Sequence, residues 1–309
     1  MRATALFTHP ACLGHDTGPG HPECSDRLRV VLQALEHPDF VPLLREQAPE
    51  ATPEQLARAH SRPYVDALLA IRPAPGEWRQ LDPDTLLSAG SPEAILRAAG
   101  GAVAAVDAVM EGWALAAFAA VRPPGHHAEP ERAMGFCLFN NAAVAAYHAR
   151  AQWGLKRVAV VDFDVHHGNG TQAMFERDAG FFYGSSHQYP CYPGTGRASE
   201  TGVGNIVNVP IPPGGDGALF RAAWERTLLP ALMAFGPELV IVSAGFDAHK
   251  ADPLAELRVE TEDFTWLTER LVAVADAQCG GRIVSTLEGG YNLRALAVSV
   301  AAHVRVLMR

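Results

Sequence analysis

The sequence has few cysteines, and their arrangement points to no function. Its five cysteines are an odd number, and none stand in the CxxC spacing typical of zinc-binding or redox pairs. They are Cys12, Cys24, Cys137, Cys191 and Cys279. This pattern excludes a disulfide framework and a zinc site built from cysteines, and it predicts reduced thiols.

The sequence also lacks a long apolar run and an excess of basic residues. Its longest apolar stretches, such as residues 114–121, are far shorter than the ~18 residues that a membrane-spanning helix needs. No apolar segment typical of a targeting signal precedes His9. The 25 basic and 34 acidic residues give a net charge of −9, which argues against non-specific binding of nucleic acid. We therefore expect a cytoplasmic protein that binds neither membranes nor nucleic acid.

Apolar residues are plentiful: 48% of the chain is hydrophobic and 19% is charged, enough for a large core. Short β-branched runs alternate with longer helical patterns, with no linker between them. Strands are predicted at Thr4–Thr8, Ala117–Val121, Val158–Phe163, Phe181–Ser185, Ile206–Val209, Leu239–Val242 and Ile283–Thr286. Helices are predicted at Glu23–Leu35, Ser91–Met110, Ala142–Trp153, Ala218–Phe235, Thr261–Gln278 and Leu293–Met308. This alternation predicts one α/β domain over residues 1–309, with three layers in which helices flank a mostly parallel sheet.

Unusual polar residues follow four of the predicted strands. The segments are RPPGHH (122–127), DFDVHHGNG (162–170), SAGFDAH (243–249) and LEGGYN (287–292). Because ligands of open parallel sheets bind beyond the carboxyl ends of the strands, we expect these segments to form one site. Two stretches rich in glycine, proline and serine, 72–91 and 188–204, are predicted to be loops over that site.

The segment 162–170 has the pattern of a metal site. With the period of two of a strand, Asp162, Asp164 and His166 share one face. Carboxylates this close repel each other, and a bound cation is the simplest explanation. Asp164 and His166, with Asp247 from another strand end, supply three ligands and leave a position open for water, as in catalytic zinc sites. The same donors also suit Fe(II) or Mn(II).

A tandem histidine pair, His126–His127, follows a proline-rich turn at the end of another strand. Imidazole is the side chain that both takes up and returns a proton near neutral pH. Two of them after a strand in the same predicted site indicate a catalytic role rather than a structural one.

Five motifs resemble those of the zinc-dependent histone deacetylase family, in the family's order and over nearly the whole chain. They are RPPGHHAE (122–129), GFCLFNN (135–141), VDFDVHHGNGTQ (161–172), SAGFDAH (243–249) and LEGGYN (287–292). HPECSDRL (21–28) also resembles an early loop of the class II branch. The resemblance implies the arginase–deacetylase fold and the removal of acetyl groups from primary-amine nitrogen by metal-activated water.

The resemblance implies a role for each motif residue. It makes His127 the general base and acid, His126 its electrostatic neighbour, and Tyr291 the donor to the substrate carbonyl and the oxyanion. Asp162 matches the buried partner of His126. Asn169, which orients His127, stands where the class I branch has aspartate and class II has asparagine.

The resemblance also implies two metal sites. Asp164, His166 and Asp247 match the zinc ligands. A second site, expected to hold potassium, would use main-chain carbonyls and one hydroxyl. Its ligands are the carbonyls of Asp162, Asp164, His166 and Ser186 and the hydroxyl of Ser185.

Further residues are expected to contact the substrate. Phe136, preceded by Gly135, and Tyr192 match the aromatic walls of a tunnel that holds the substrate's alkyl chain. His21 is placed at the entrance. Ser91 is a candidate acceptor for the substrate's amide hydrogen, and it is equally well explained as a helix cap.

Two substrate classes remain open, acetyl-lysine in peptides or proteins and acetylated polyamines. Polyamine-specific relatives carry an acidic residue in the loop after the last zinc ligand, where this chain has Leu254. An apolar residue there favours a lysine-like or broad acylamine substrate, although Glu256 lies close by in the sequence.

Two other classes of protein remain alternatives. A dinuclear manganese, arginase-like ureohydrolase needs further aspartates in DxHxD and DxD patterns, which Val165 and His167 do not supply. A non-catalytic acyl-lysine-binding module would normally have lost a metal ligand, a histidine or the tyrosine, and this chain keeps them all. The sequence leaves the oligomeric state open, with loop 188–204 a candidate for assembly into a homo-oligomer.

Overall fold

The computed structural model describes residues 2–309. The strands are β1 (Thr4–Thr8), β2 (Leu44–Gln47), β3 (Arg79–Asp82), β4 (Thr85–Leu87), β5 (Ala116–Ala119), β6 (Val158–Asp162), β7 (Phe181–Gln188), β8 (Ile206–Ile211), β9 (Leu239–Ala244) and β10 (Ile283–Leu287). The α-helices are α1 (Ser25–Ala34), α2 (Pro53–Leu56), α3 (Arg62–Ala70), α4 (Ser91–Glu111), α5 (Asn141–Trp153), α6 (Asn169–Phe175), α7 (Gly217–Ala223), α8 (Leu229–Phe235), α9 (Thr261–Gln278) and α10 (Leu293–Leu307).

An eight-stranded sheet runs through the centre of the molecule in the order β2-β1-β5-β10-β9-β6-β7-β8. Every neighbouring pair in it is parallel. The four central strands are buried along their whole length, which explains why they appear in the sequence as continuous apolar runs. Helices α4 and α5 pack against each other on one face, and α1, α10 and α9 pack in a row on the other. The predicted three-layer α/β class is confirmed.

The predicted elements of the sheet and its helices recur with shifts of a few residues at their ends. One long predicted helix, 218–235, is divided: α7 and α8 are joined by a π-helical turn at Trp224–Leu228. Pro230, in the first turn of α8, has no main-chain N–H to continue the α-helical ladder, which accounts for the wider turn.

Other elements were not predicted. Stretch 72–91, expected to be irregular, contains the antiparallel hairpin β3–β4, whose short and partly exposed strands give only a weak apolar pattern. Helix α6 begins inside the motif 161–172, where glycine and asparagine obscure its helical periodicity. The edge strand β2 is exposed at all four residues, so no buried run marked it. None of the helices in residues 2–309 combines the length and the apolarity needed to cross a membrane.

Candidate active site

The four polar segments meet at one edge of the sheet because their strands are neighbours. Residues 122–127, 287–292, 243–249 and 162–170 follow β5, β10, β9 and β6, which lie side by side in that order. Long helical segments separate these strands in sequence, so their adjacency arises only on folding. Together the segments bring carboxylates, imidazoles and a phenol around one cavity.

Three buried side chains at this edge converge as metal ligands do. The ligand atoms of Asp164, His166 and Asp247 all lie within 4.8 Å of one another. Nδ1 of His166 is 3.1 Å from Oδ1 of Asp164 and 3.2 Å from Oδ2 of Asp247. That oxygen of Asp247 receives no hydrogen bond from residues 2–309.

This donor set fits a divalent metal ion. Burial and the nearby charge of Asp164 raise the pKa of Asp247 to about 7, so the two carboxylates repel each other without a cation. A buried oxygen that lacks a donor, a second carboxylate and one imidazole nitrogen match the preferences of Zn²⁺, Fe²⁺ and Mn²⁺. Three protein ligands leave part of the coordination shell to water or substrate.

Main-chain groups orient both carboxylates. The N–H of Gly289 donates to Oδ2 of Asp164 at 2.8 Å, and the N–H of Val165 donates to Oδ1 of Asp247 at 2.8 Å. A Cβ atom at position 289 would overlap carboxylate oxygens of both aspartates, so glycine is required for this close approach. The glycines of LEGGYN therefore serve the metal cluster as well as the turn before Tyr291.

His126 is held as a cation beside this cluster. Its Nδ1 lies 2.9 Å from Oδ2 of Asp162, and its Nε2 lies 3.8 Å from Oδ2 of Asp164. Burial alone would lower its pKa, but the charges of Asp164 and Asp162 outweigh burial and raise it to about 10. At neutral pH His126 therefore carries a positive charge next to the cavity.

His127 is held neutral in the same place. Burial and the neighbouring charges of His126 and His166 lower its pKa well below the ordinary value. Its Nδ1 lies 2.9 Å from the side-chain oxygen of Asn169, which can only accept, so Nδ1 carries the proton. The other ring nitrogen, Nε2, keeps a free lone pair.

Glu288, to which the sequence assigned no role, binds the main chain of the histidine turn. Its Oε2 accepts the main-chain N–H groups of Gly125 at 2.7 Å and His126 at 3.1 Å, while Oε1 accepts the hydroxyl of Ser243 at 3.2 Å. Burial raises its pKa to about 7. In the sequence, its position as a charged residue directly after an apolar strand could have indicated this role.

Tyr291 faces the cavity from the loop after β10. The guanidinium of Arg27 lies 4.8 Å from the centre of its ring, and Nε of Arg27 donates to the carbonyl of Gly290 at 2.6 Å. Burial raises the pKa of the Tyr291 phenol well above its usual value, against the opposing effect of Arg27. The phenol therefore keeps its proton and can donate it in a hydrogen bond.

Of these groups, His127, His166 and Tyr291 line a cavity of about 180 Å³. Its lining residues are Asp84, His127, Gly135, Phe136, His166, Tyr192, Leu254 and Tyr291. The ring of Phe136 packs edge-on to Tyr291 at 5.8 Å between centroids, and Tyr192 packs edge-on to His127 at 5.1 Å. The structure thus brings Gly135, Phe136, Tyr192 and Leu254 together around one cavity, and their contact with a substrate stays a prediction.

The β3–β4 hairpin, which was not predicted from the sequence, fixes one wall of the cavity. Phe136 has a φ of 68°, which is uncommon for a residue with a side chain. Its N–H donates to the hydroxyl of Thr85 at 3.0 Å, and the N–H of Gly135 donates to Oδ1 of Asp84 at 3.1 Å. The hairpin thereby also places the carboxylate of Asp84 in the cavity.

Ser91 does not lie in the cavity, so its proposed contact with the substrate is wrong. It is fully buried at the start of α4, where its hydroxyl contacts Nδ1 of His15 at 2.7 Å and the N–H of Ser88 at 2.8 Å. His21 packs edge-on against Phe136 at 4.7 Å, outside the cavity lining, and its Nε2 lies 3.2 Å from the carbonyl of Asp84. His21 therefore packs against the wall residue Phe136 and does not itself line the cavity.

A larger open cleft, of about 660 Å³, lies beside α7 and contains none of the motifs. Its charged residues are mostly paired with one another, as in the contacts of Arg221 with Asp263 and of Lys250 with Glu260, both at 2.6 Å. We therefore place the chemistry in the smaller cavity.

Comparisons with known proteins agree with this geometry. Residues 21–307 match the model of the histone deacetylase domain. The chain is 39% identical to histone deacetylase 14, chloroplastic, of Arabidopsis thaliana, covering 99% of this chain and 77% of that protein. It is 39% identical to a histone deacetylase-like amidohydrolase of Pseudomonas aeruginosa, over 94% of this chain and 82% of that protein. The crystal structure of the HDA15 HD domain superimposes with a TM-score of 0.91 at 38% identity, over 99% of this chain and 88% of that one.

A match over nearly the whole chain, together with relatives at this level of identity, establishes the family. Deacetylases and amidohydrolases are its named members, and they hydrolyse amides. This protein belongs to the histone deacetylase family.

Proposed function

We propose that this protein is a zinc-dependent deacetylase that removes acetyl groups from lysine side chains or related primary-amine acetamides. One observation carries the proposal. His166, one member of the buried group Asp164, His166 and Asp247, lines a cavity of about 180 Å³ together with His127, whose Nε2 is free, and Tyr291. That combination supplies a metal site, a proton acceptor and a hydrogen-bond donor around one reacting carbonyl.

Asp164, His166 and Asp247 would hold the metal. When bound, a divalent ion would supply a Lewis acid that polarises the amide carbonyl and makes attacking water more acidic. Among residues 2–309 these side chains are the one group with suitable donors close enough together, which favours a single ion over an arginase-like pair.

The proton transfers fall to His127. Because the side-chain oxygen of Asn169 holds the proton on Nδ1, Nε2 can accept a proton as water attacks. The resulting imidazolium can then deliver that proton to the departing amine. Asn169 is uncharged, so it fixes the orientation of the ring but gives this imidazolium little electrostatic support.

Two groups stabilise negative charge as it develops on the substrate oxygen. Tyr291 donates a hydrogen bond from its protonated phenol, and an imidazolium at His126 would add a positive charge. Asp162 keeps that charge in place through its contact with Nδ1 of His126.

The cavity fits a narrow alkyl chain. Phe136 and Tyr192 supply flat apolar walls, and Leu254 adds an aliphatic surface where a cation-selective enzyme would carry a carboxylate. Leu254 favours acyl-lysine as the substrate. The carboxylate of Asp84, which also lines the cavity, favours acetylated polyamine as a second candidate, because it can pair with a further ammonium group.

A potassium site behind the cluster forms part of the proposal. Nε2–H of His187 donates to the carbonyl of Gly196 at 2.8 Å, so its Nδ1 accepts the hydroxyl proton of Ser185 at 2.9 Å. The Ser185 oxygen thereby keeps lone pairs for a cation. No main-chain N–H in residues 2–309 donates to the carbonyls of Asp164 or His166, which supports their role as ligands. Ser186 takes part through its carbonyl, since its hydroxyl accepts Nε1–H of Trp224 at 2.9 Å.

Competing kinetics test the proposal. Protein reconstituted with Zn²⁺, Fe²⁺ or Mn²⁺ is assayed on an acetyl-lysine peptide and on acetylspermidine, with Asp164→Asn as the inactive control. We expect one metal ion per chain and a higher kcat/KM on the peptide. Binding without hydrolysis of either substrate would overturn the deacetylase assignment. A strong preference for acetylspermidine would overturn the choice of substrate.

Other expectations from the sequence stay predictions. They concern a cytoplasmic location, the absence of nucleic-acid and membrane partners, a single domain over residues 1–309, and assembly through loop 188–204. Measurements of molecular mass in solution and of cellular location would test them.

A further inference from the structure

Tyr291 is carried by a loop that has no regular secondary structure to hold it. Strand β10 ends at Leu287 and α10 begins at Leu293; main-chain hydrogen bonds reach Glu288, Gly289 and Asn292, but among residues 2–309 none involves Gly290 or Tyr291. Gly290 has a φ of 125°, a conformation that glycine adopts at little cost. The direction of the Tyr291 side chain therefore depends on what binds the main chain of this loop.

Two side chains bind this main chain: Arg27 donates to the carbonyls of Glu288 and Gly290, and Asp252 accepts the N–H groups that follow. Its Oδ2 accepts the main-chain N–H of Tyr291 at 2.7 Å and that of Asn292 at 3.2 Å. Its Oδ1 accepts the N–H of Leu254 at 3.1 Å. The residue is 8% exposed, so the protein rather than solvent satisfies its carboxylate.

The remaining contacts of the loop do not duplicate this one. The main-chain N–H of Gly289 donates to Oδ2 of Asp164, a member of the metal-ligand group. The side-chain oxygen of Asn292 caps α10 through the N–H of Ala295 at 3.0 Å. Among residues 2–309, Oδ2 of Asp252 is the atom that accepts the main-chain N–H of Tyr291.

We propose that Asp252 is a positioning residue that holds the phenol of Tyr291 toward the substrate carbonyl and ties it to the wall residue Leu254. The inference rests on the proposed deacetylase function. The carboxylate of Asp252 binds main-chain groups of both the Tyr291 loop and the Leu254 loop. The phenol of Tyr291 and the wall formed by Leu254 are therefore held at a fixed distance from each other. Substitution by alanine would leave three main-chain N–H groups without acceptors and free the loop to turn the phenol away.

A double-mutant cycle tests this role. The variants are Asp252→Ala, Tyr291→Phe and the double variant, assayed with the metal-loaded protein on an acetyl-lysine peptide. We expect Asp252→Ala to lower kcat about tenfold or more, comparable with the loss of an oxyanion donor. In the Tyr291→Phe background the same change should alter kcat by less than about twofold, because the group that it positions is already gone.

Two controls separate positioning from general destabilisation. Asp263→Asn removes a carboxylate of similar burial that accepts the N–H of Glu260 and pairs with Arg221, away from the cavity. It should lower the melting temperature but leave kcat unchanged. Asp252→Asn keeps one acceptor oxygen and should recover part of the kcat lost in Asp252→Ala. If the alanine variant does not fold, the asparagine variant carries the cycle.

The outcomes distinguish this inference from the proposed function. Equal losses of kcat on Asp252→Ala in both backgrounds would overturn the positioning role, as would full activity of Asp252→Ala. If Tyr291→Phe itself keeps full turnover, then the role of Tyr291 in the proposed function fails, whatever Asp252 does.

Discussion

The side-chain oxygen of Asn169 lies 2.9 Å from Nδ1 of His127. Its amide nitrogen lies 2.8 Å from a carboxylate oxygen of Glu129, which fixes the direction of the amide because that oxygen can only accept. Glu129 therefore orients Asn169, and Asn169 sets the tautomer of His127. The tautomer of His127 that leaves Nε2 free therefore results from contacts made by residues outside the cavity lining.

Removal of the Asn169 amide should slow turnover while leaving substrate binding nearly intact. In Asn169→Ala nothing holds the proton on Nδ1, so a fraction of His127 presents a protonated Nε2 that cannot accept. We expect kcat to fall by about 10- to 100-fold with KM changed by less than about threefold, as a loss of general-base catalysis predicts. Steady-state kinetics on an acetyl-lysine peptide check this. An unchanged kcat would show that catalysis does not depend on the His127 tautomer that Asn169 selects.

Loss of the Tyr291 hydroxyl should affect turnover rather than metal binding. Tyr291→Phe keeps the ring against Phe136 and Arg27 but removes the hydrogen bond to the developing oxyanion, so kcat should fall at least about tenfold. Zinc content, measured by elemental analysis, should stay at one ion per chain. Tyr192→Phe, which removes a hydroxyl from the opposite wall, is the matched control and should keep most of the activity.

Chelation should abolish hydrolysis and lower stability together. Without a cation, the buried carboxylates of Asp164 and Asp247 repel each other, and metal binding removes that repulsion. At a free metal concentration of about 100 times its Kd, binding should add about 2.7 kcal/mol to the free energy of unfolding. Activity and thermal unfolding are followed as Zn²⁺ is added back. Amide hydrolysis that continues undiminished after thorough chelation would contradict the metal-dependent mechanism.

Acid should destabilise the fold through buried neutral histidines that are not members of the metal-ligand group. Burial lowers the pKa of His60 to about 4 and that of His303 to about 3, both below the ordinary value of 6.5. Between these values the unfolded chain binds protons that the folded protein does not. The stabilisation is therefore complete above about pH 6.5 and is lost as the pH falls.

For each of these histidines, the free energy of unfolding should fall by about 1.4 kcal/mol for each pH unit below about pH 6.5. Denaturant unfolding of the metal-free protein at about pH 5, 6 and 7 measures it. In His303→Asn the slope of the free energy of unfolding against pH should decrease by about 1.4 kcal/mol per pH unit, which corresponds to one proton, whatever the change in absolute stability. An unchanged slope in that variant would show that His303 does not contribute.

The sequence predicted most of the sheet because its central strands are buried on both faces and therefore appear as apolar runs. It also predicted the group Asp164, His166 and Asp247 through the motif resemblance; the strand period used for Asp164 and His166 does not apply, because β6 ends at Asp162. It placed Ser91 wrongly, because a serine at a helix start has the same local pattern whether its hydroxyl faces substrate or, as here, a buried His15.

Several residues gained a role only in three dimensions. Asp84 comes from a hairpin with little apolar pattern, and Asp252 acts on main-chain groups 39 and 40 positions away. Hydrogen bonds of this kind connect distant parts of the chain, and no local periodicity records them.

The sequence by itself determined which strands end in reactive side chains, since the chemistry of a strand end is written in a few consecutive residues. Tertiary structure alone decided that β5, β10, β9 and β6 are neighbours, an order that differs from their order in the chain. Helix packing on the two faces of the sheet sets that order, and with it the distances that turn separate strand ends into one cavity.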